Sequence, residues 1–146
     1  MELFKSQINY IESLEQSFYD SLQESIKKFD FVIKDYITNK QLFRQGIDGL
    51  GKKLEGYTRT TIRMKIATGR PADRTTLYQE GDFHASINID AYEDRFEVSS
   101  DVDYAKYLVK RYGSNILKPS NENLQEFLEN YFFPTLKTKI NGQFTR

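Results

Sequence analysis

The sequence predicts an α+β fold in which a long N-terminal helix and a C-terminal helix pack on a small antiparallel β-sheet containing the 83–100 hairpin. Three observations lead there. Phe4, Ile8, Ile11, Leu14, Phe18, Leu22, Ile26 and Phe29 recur at gaps of three and four, the spacing that lines one face of an α-helix. Phe83, Ala85, Ile87, Ile89 and Ala91 alternate with His84, Ser86, Asn88 and Asp90, the period of a strand with one buried face. Leu124, Phe127, Leu128, Tyr131 and Phe132 return to helical spacing behind Ser120, a capping residue.

The elements follow in chain order. A first helix over residues 4–28 is roughly 37 Å long, more than a compact domain of this size requires. Part of it is expected to pack on a neighbour, the alternative being core packing throughout. Residues 29–37 fit a helix end or a short strand, and the pattern leaves both open. Thr38 and Gln41 read as a capping box opening a short helix that Gly46 closes. Residues 46–53 form a glycine-rich loop, and Thr58 caps a helix through Ile62 and Ile66. Residues 67–82 show little periodicity, and so long a connection points to function or to a segment that a partner orders. Tyr92, Glu93 and Asp94 turn the hairpin, with Phe96 and Val98 inward on its second strand. Asp103 caps a helix carrying Tyr104, Leu108 and Val109 that Gly113 ends, and Pro134 is expected to bend or stop the last helix.

At 146 residues the chain reads as a single domain, 1–146, and a chain of this length buries roughly 70% of its unfolded surface. It contains no Cys, which excludes a disulfide scaffold, a thiolate nucleophile and cysteine-ligated zinc or iron-sulfur sites. Chemistry is left to carboxylates, hydroxyls, amines and the single histidine, His84. No apolar run reaches the roughly 18 to 20 residues needed to cross a bilayer, and no apolar signal core follows Met1, so a soluble chain without membrane contact is expected. The 21 basic and 21 acidic groups balance overall but not locally. Residues 1–26 hold one basic and five acidic groups, 27–74 twelve and five, 75–105 one and eight, and 106–146 seven and three. Such blocks suit head-to-tail self-association or nucleic-acid contact if they form separate faces, and cancel if they interleave.

Gly46, Gly51 and Lys52 match most of a P-loop, but Lys53 stands where a hydroxyl should meet magnesium, and no convincing strand precedes the loop, which therefore reads as a turn. Asp82, His84 and Ser86 project from one face of the expected strand, about 7 Å apart per step and too far for direct triad bonds. Glu93 with Asp94 and Asp101 with Asp103 fall in turns, where Asp is favoured by bonds to its own backbone. The single histidine and scattered carboxylates give no metal-ligand spacing. No enzyme activity, cofactor or metal is expected. The stretch 27–74 interleaves cations, Lys52, Lys53, Arg59 and Arg63 among them, with Phe29, Phe31, Tyr36, Phe43 and Tyr57, a combination that can hold a phosphate backbone and stack bases. A solvated face over an aromatic core is the competing reading.

Two segments carry a resemblance. The run through Leu77, Glu80, Gly81, Phe83, Ser86 and Ile87 resembles the pattern Leu-x-x-Thr-Gly-x-Leu/Phe-x-x-Ser-Ile of the head-tail joining or tail-completion family of tailed bacteriophages, including neck proteins from phages of Bacteroides-like hosts. The run from Tyr104 and Ala105 to Tyr112, Gly113 and Ser114 is similar to that family's Tyr-Ala-x-x-Val-Glu-Phe-Gly-Thr, two residues longer here and with Arg111 where the family has an acid. Glu80 replaces the family's Thr or Ser. The resemblance spans residues 40–115 and implies a non-enzymatic virion subunit, assembled in the host cytoplasm into a ring of six or twelve between portal or connector and tail. It marks Gly81, Phe83, Ser86, Tyr104, Ala105 and Gly113 as structural positions of the motif. On that reading Arg70, Pro71, Asp73, Arg74, Leu77 and Tyr78 of the long loop meet a neighbouring subunit, and Lys52, Lys53, Arg59 and Arg63 face non-specific DNA in the channel. The alternative expectation is a small nucleic-acid-binding protein using the 27–74 stretch.

Overall fold

The computed structural model describes residues 2–144. Helix α1, Glu2–Lys28, holds the expected apolar stripe and sets Glu2 in its first turn and Lys27 and Lys28 in its last, each complementing the helix dipole. Only its second half packs. Ser17, Ser21, Ser25 and Ile26 are buried there, whereas Ile8 and Ile11 stay 44% and 62% exposed. The three serines recur every four residues and form a seam with no side-chain bulk. Helix α1 packs on the C-terminal helix and the first strand, and Phe18 meets Phe132 edge-on at 5.0 Å.

Residues 29–37, open between helix and strand, are helical. The chain breaks at Phe29, forms α2, Asp30–Asp35, and runs on into a wide π-helical segment, Tyr36–Gln45. Ile33, Tyr36 and Ile37 are buried at helical spacing, so the three-four period prevails over the β-branched local composition. The expected capping box at Thr38 and Gln41 is corrected by this continuity. Thr38 sits inside the π segment and its Oγ1 donates to the Lys34 carbonyl, while Gln41 is buried. Gly46 closes the segment in the left-handed region at φ 64°, as expected, and an added Cβ there would crowd Arg74.

Helix α3, Arg59–Ala67, starts where predicted, with the Thr58 hydroxyl accepting from the Thr61 amide. The first strand does not start where predicted. Residues 82–85 form a helical turn, α4, Asp82–Ala85, and the sheet is the hairpin β1, Ile87–Ala91, paired antiparallel with β2, Phe96–Ser100, Ile87 opposite Ser100 and Ala91 opposite Phe96. The misreading has a geometric cause. Phe83 and Ile87 are four residues apart, and that spacing shares a side in a strand and in a helical turn alike. The turn instead puts His84 inward and Ala85 outward, the reverse of a strand.

Helix α5, Ala105–Tyr112, begins one residue after Tyr104 without a side-chain cap, so Asp103 does not cap it, and Gly113 ends it at φ 92°. Ser120 does cap α6, Asn121–Phe127, accepting from the Asn123 amide. Pro134 neither stops nor sharply ends the last helix. A π turn, Leu128–Phe132, precedes α7, Phe133–Phe144, and places Pro134 in the opening turn, where a missing amide donor costs least.

Ile26, Ile33, Ile37, Leu42, Phe83, Ile87, Ile116 and Phe127 form the core between α1, α2, the π segment, β1 and α6. A buried amide ties its two halves together. Gln41 is 1% exposed, and its Nε2 donates to the Lys118 carbonyl at 2.9 Å. Its Oε1 accepts from the Ser120 amide at 2.7 Å and from Asn123 Nδ2 at 2.9 Å. The start of α6 is thereby locked to the π segment.

Candidate functional site

The glycine-rich turn after the π segment has already satisfied the amides that a phosphate would need. The Asp48 carboxylate accepts from the Leu50 and Lys52 amides at 2.9 and 3.0 Å, and the Gly49 amide donates to the Asn115 carbonyl at 2.8 Å. An internal anion occupies the nest that an external one would use. Lys52 and Lys53 themselves are exposed.

The long connection between α3 and α4 is irregular, as expected, but it is held closely to its own chain. Thr75 Oγ1 donates to the Glu55 carbonyl, and Arg74 Nε to the Phe43 carbonyl at 2.7 Å. The Thr76 amide donates to the Tyr57 hydroxyl at 2.9 Å, and His84 Nε2 lies 2.8 Å from the Thr76 carbonyl, which fixes it as the protonated nitrogen. Lys65 completes this hub. It is 3% exposed, donates from Nζ to the Tyr78 carbonyl at 2.7 Å and lies 4.8 Å from the Tyr57 ring centre. Among the described residues no carboxylate pairs with it. A carbonyl dipole and an aromatic face therefore stabilise a buried ammonium.

These contacts set the local titration. Burial holds the His84 imidazole below the usual histidine value, the Lys65 charge adds to that, and the Thr76 carbonyl opposes it. Burial pushes Tyr57 up, but the hydrogen bonds from Thr76 and the charge of Lys65 outweigh it, and the phenol lies below its ordinary value. Burial and the Glu126 carboxylate push Tyr36 up to about 12.

The hub explains how α3 is presented. Lys65 is the only fully buried residue of that helix, with Thr61 and Ile62 half-buried beside it. The face away from Lys65 carries Arg59, Arg63 and Ile66 at intervals of four and three, a single helical stripe. Ile66 is 66% exposed, and neither arginine joins an ion pair among the described residues.

A surface of opposite character lies on the hairpin side. A groove of about 620 Å³ is lined by Asp82, Asp101 and Asp103 together with Ala85, Ser86, Asn88, Val102 and Tyr104. No Lys or Arg side chain lines it, Lys34 reaches its border by donating to the Ala85 carbonyl at 2.7 Å, and none of its three carboxylates forms an ion pair among the described residues. Compared with protein-family models, with curated proteins and with solved structures, the chain finds no match. Its own geometry therefore carries the functional argument.

The expected site residues fall into three groups. Of the loop positions, Arg74, Leu77 and Tyr78 turn to their own chain: Arg74 lies over Phe43, Leu77 packs on the core at φ 54°, and Tyr78 meets Phe43 and His84 edge-on. Arg70 and Pro71 are half-buried, and Asp73 is exposed and paired with Arg74. Of the motif positions, Phe83 and Ala105 are buried, Gly81 and Gly113 adopt positive φ at helix ends, and Tyr104 is exposed. Ser86 donates to the Phe83 carbonyl and bonds the Ser100 hydroxyl. The cations form two exposed pairs, Lys52 with Lys53 on the Asp48 turn and Arg59 with Arg63 on α3. Asp82, His84 and Ser86 have no common face, because His84 points inward. Among the described residues no group of three or more His, Asp or Glu side chains is placed to hold a metal, and no helix is long and apolar enough to cross a membrane.

Sequence reasoning passed over Lys65, placing it among the solvated cations. The available signal was its position on α3, on the side opposite Arg59 and Arg63.

Proposed function

We propose that this chain is a structural subunit of a tailed-bacteriophage virion, a neck or tail-completion ring component joining portal or connector to tail. The observation that carries the reading is the distribution of exposed apolar surface. Ile11, Phe31, Leu50, Ile66, Tyr107 and Phe133 are all at least half exposed, and they sit on six different segments. Scattered single residues of this kind are ordinary, but here they accompany a first helix whose leading half leaves Ile8 and Ile11 uncovered. A subunit that meets neighbours on several sides needs surface of this sort, and a ring closes through unlike patches.

Four cations of the 27–74 stretch are engaged within the chain. Lys34 donates to the Ala85 carbonyl, Lys40 pairs with Glu126, Lys65 is buried and Arg74 is tied to Phe43. That weakens the free-standing nucleic-acid reading; Lys52, Lys53, Arg59 and Arg63 are among the exposed cations that remain.

The test is assembly. The purified chain, concentrated alone and with candidate portal and tail proteins, is expected to give rings of six or twelve in electron micrographs and to be found in purified virions. A chain that stays monomeric at high concentration and binds none of those proteins overturns the reading.

A further inference from the structure

Two surfaces of this molecule each lack what the other supplies. Helix α3 presents in one stripe an exposed isoleucine and two guanidinium groups without an ion pair among the described residues, and the hairpin-side groove presents three carboxylates, likewise without an ion pair among the described residues, beside Ala85 and Val102. They share no residue. We infer that α3 of one copy docks in the Asp82, Asp101 and Asp103 groove of the next, making the heterologous contact that propagates the ring; the inference rests on the ring reading above.

The stripe has the form of a helix that binds in a groove. Arg59, Arg63 and Ile66 stand at i, i+4 and i+7, the spacing by which helical ligands place their anchors along one side. Ile66 covers Ala85 and Val102, and the arginines meet the carboxylates. Because the guanidinium is planar and offers several donors, each arginine can take a carboxylate in bidentate fashion, which fixes register as well as adding attraction. The charges on the free subunit lie in solvent, so their pairing mainly sets orientation and excludes wrong partners, while removal of Ile66 from water supplies the non-directional part.

A phosphate backbone is the other occupant that α3 could meet, and the observations favour protein. An isoleucine two-thirds exposed one turn beyond Arg63 is poorly suited to a polyanion, and a groove of opposite charge already exists on the same chain. The anchoring of α3 also fits docking. With Lys65 as its only fully buried residue, the helix holds its full outer face clear of the body, while the bond from Lys65 to the Tyr78 carbonyl keeps it from swinging. Where the contact between unlike patches is not reciprocated, each copy keeps one patch free, so growth continues until the rotation closes.

Sedimentation velocity of the full chain tests this over a range of salt. Three variants are compared with the natural chain: Arg59→Glu with Arg63→Glu, Asp101→Lys with Asp103→Lys, and all four changes together. Every altered side chain is exposed, and a circular dichroism melt of each variant checks its fold. Each pairwise reversal is expected to weaken self-association by more than about tenfold, because like charges then face each other. The fourfold variant is expected to return to within about threefold of the natural chain, since attraction is restored with its sign inverted. A fourfold variant as weak as its parents overturns the inference, as do pairwise variants that assemble normally, and in both cases the ring reading stands. A natural chain that stays monomeric removes the ring reading and the inference with it. If the arginine variant loses salt-sensitive binding to random-sequence duplex DNA while self-association is unchanged, α3 is a nucleic-acid surface and the inference is overturned.

Discussion

Replacing Gln41 by Met keeps the length and approximate volume of the side chain and removes both of its polar atoms. Three partners are stranded: the Lys118 carbonyl, the Ser120 amide and the Asn123 amide group, now bonded at 2.9, 2.7 and 2.9 Å. A buried group left without its partner costs about 1–3 kcal/mol. Lys118 is exposed and Ser120 half-buried, so water reaches both, and the lower end of that range applies to them. Asn123 is 8% exposed and takes a larger share. The expected loss is about 3–4 kcal/mol. For a chain of 146 residues that corresponds to a fall in Tm of about 10 °C. Urea unfolding followed by circular dichroism measures it, and a cycle with Asn123→Ala isolates the side-chain pair, for which a coupling of about 1 kcal/mol is expected. A Gln41→Met chain within about 0.5 kcal/mol of the natural one refutes the argument, because substitutions that disturb no buried contact fall in that range.

Three further outcomes follow from the same reasoning. Ser21 is fully buried and its hydroxyl has no hydrogen-bond partner among the described residues, so Ser21→Ala should stabilise the chain by about 1 kcal/mol and raise Tm in a thermal melt. At Gly49 an added Cβ would overlap the Lys118 carbonyl oxygen, so Gly49→Ala should cost about 2 kcal/mol or more in urea unfolding, and a neutral result would mean the turn shifts freely. His84 is the single histidine of the chain and is held neutral below its ordinary value by burial, with Lys65 adding to the shift. The unfolded chain therefore takes up the proton first, and stability, fully present above a pH of about 6.5, falls as pH drops below it by at most about 1.4 kcal/mol per unit. Titrating stability between pH 5 and 6.5 (about one and a half units below the free-histidine value) should show that slope in the natural chain and a flatter one in His84→Gln; equal slopes would remove His84 from the account.

Much of the scaffold was legible because its determinants are local. The stripe from Ile8 to Phe29 marks α1, Thr58 and Ser120 cap the helices they precede, and Gly46 and Gly113 close the segments they follow. The second strand and the hairpin turn were equally clear, since alternation there has no competing helical reading. Four local signals misled. Thr38 and Gln41 have the spacing of a capping box but lie inside a longer helix, Asp103 precedes a helix it does not cap, the alternation from Phe83 begins in a helical turn, and Pro134 does not stop the last helix. The site was less legible than the scaffold. Arg59 and Arg63 were recognised as accessible cations, yet nothing near them in sequence marks Asp101 and Asp103 as part of a groove with Asp82.

The chain alone determined the course of α1, the starts of α3 and α6, the end of α5 and the turn of the hairpin, since those choices rest on residues a few positions apart that share one periodicity or one cap. Tertiary structure decided the fate of the polar side chains. Gln41 is satisfied by residues 118–123, Lys65 by Tyr78 and Tyr57, and His84 by Thr76. Each is buried because a partner elsewhere in the chain meets its hydrogen bonds, and a polar group without such a partner would have remained in water.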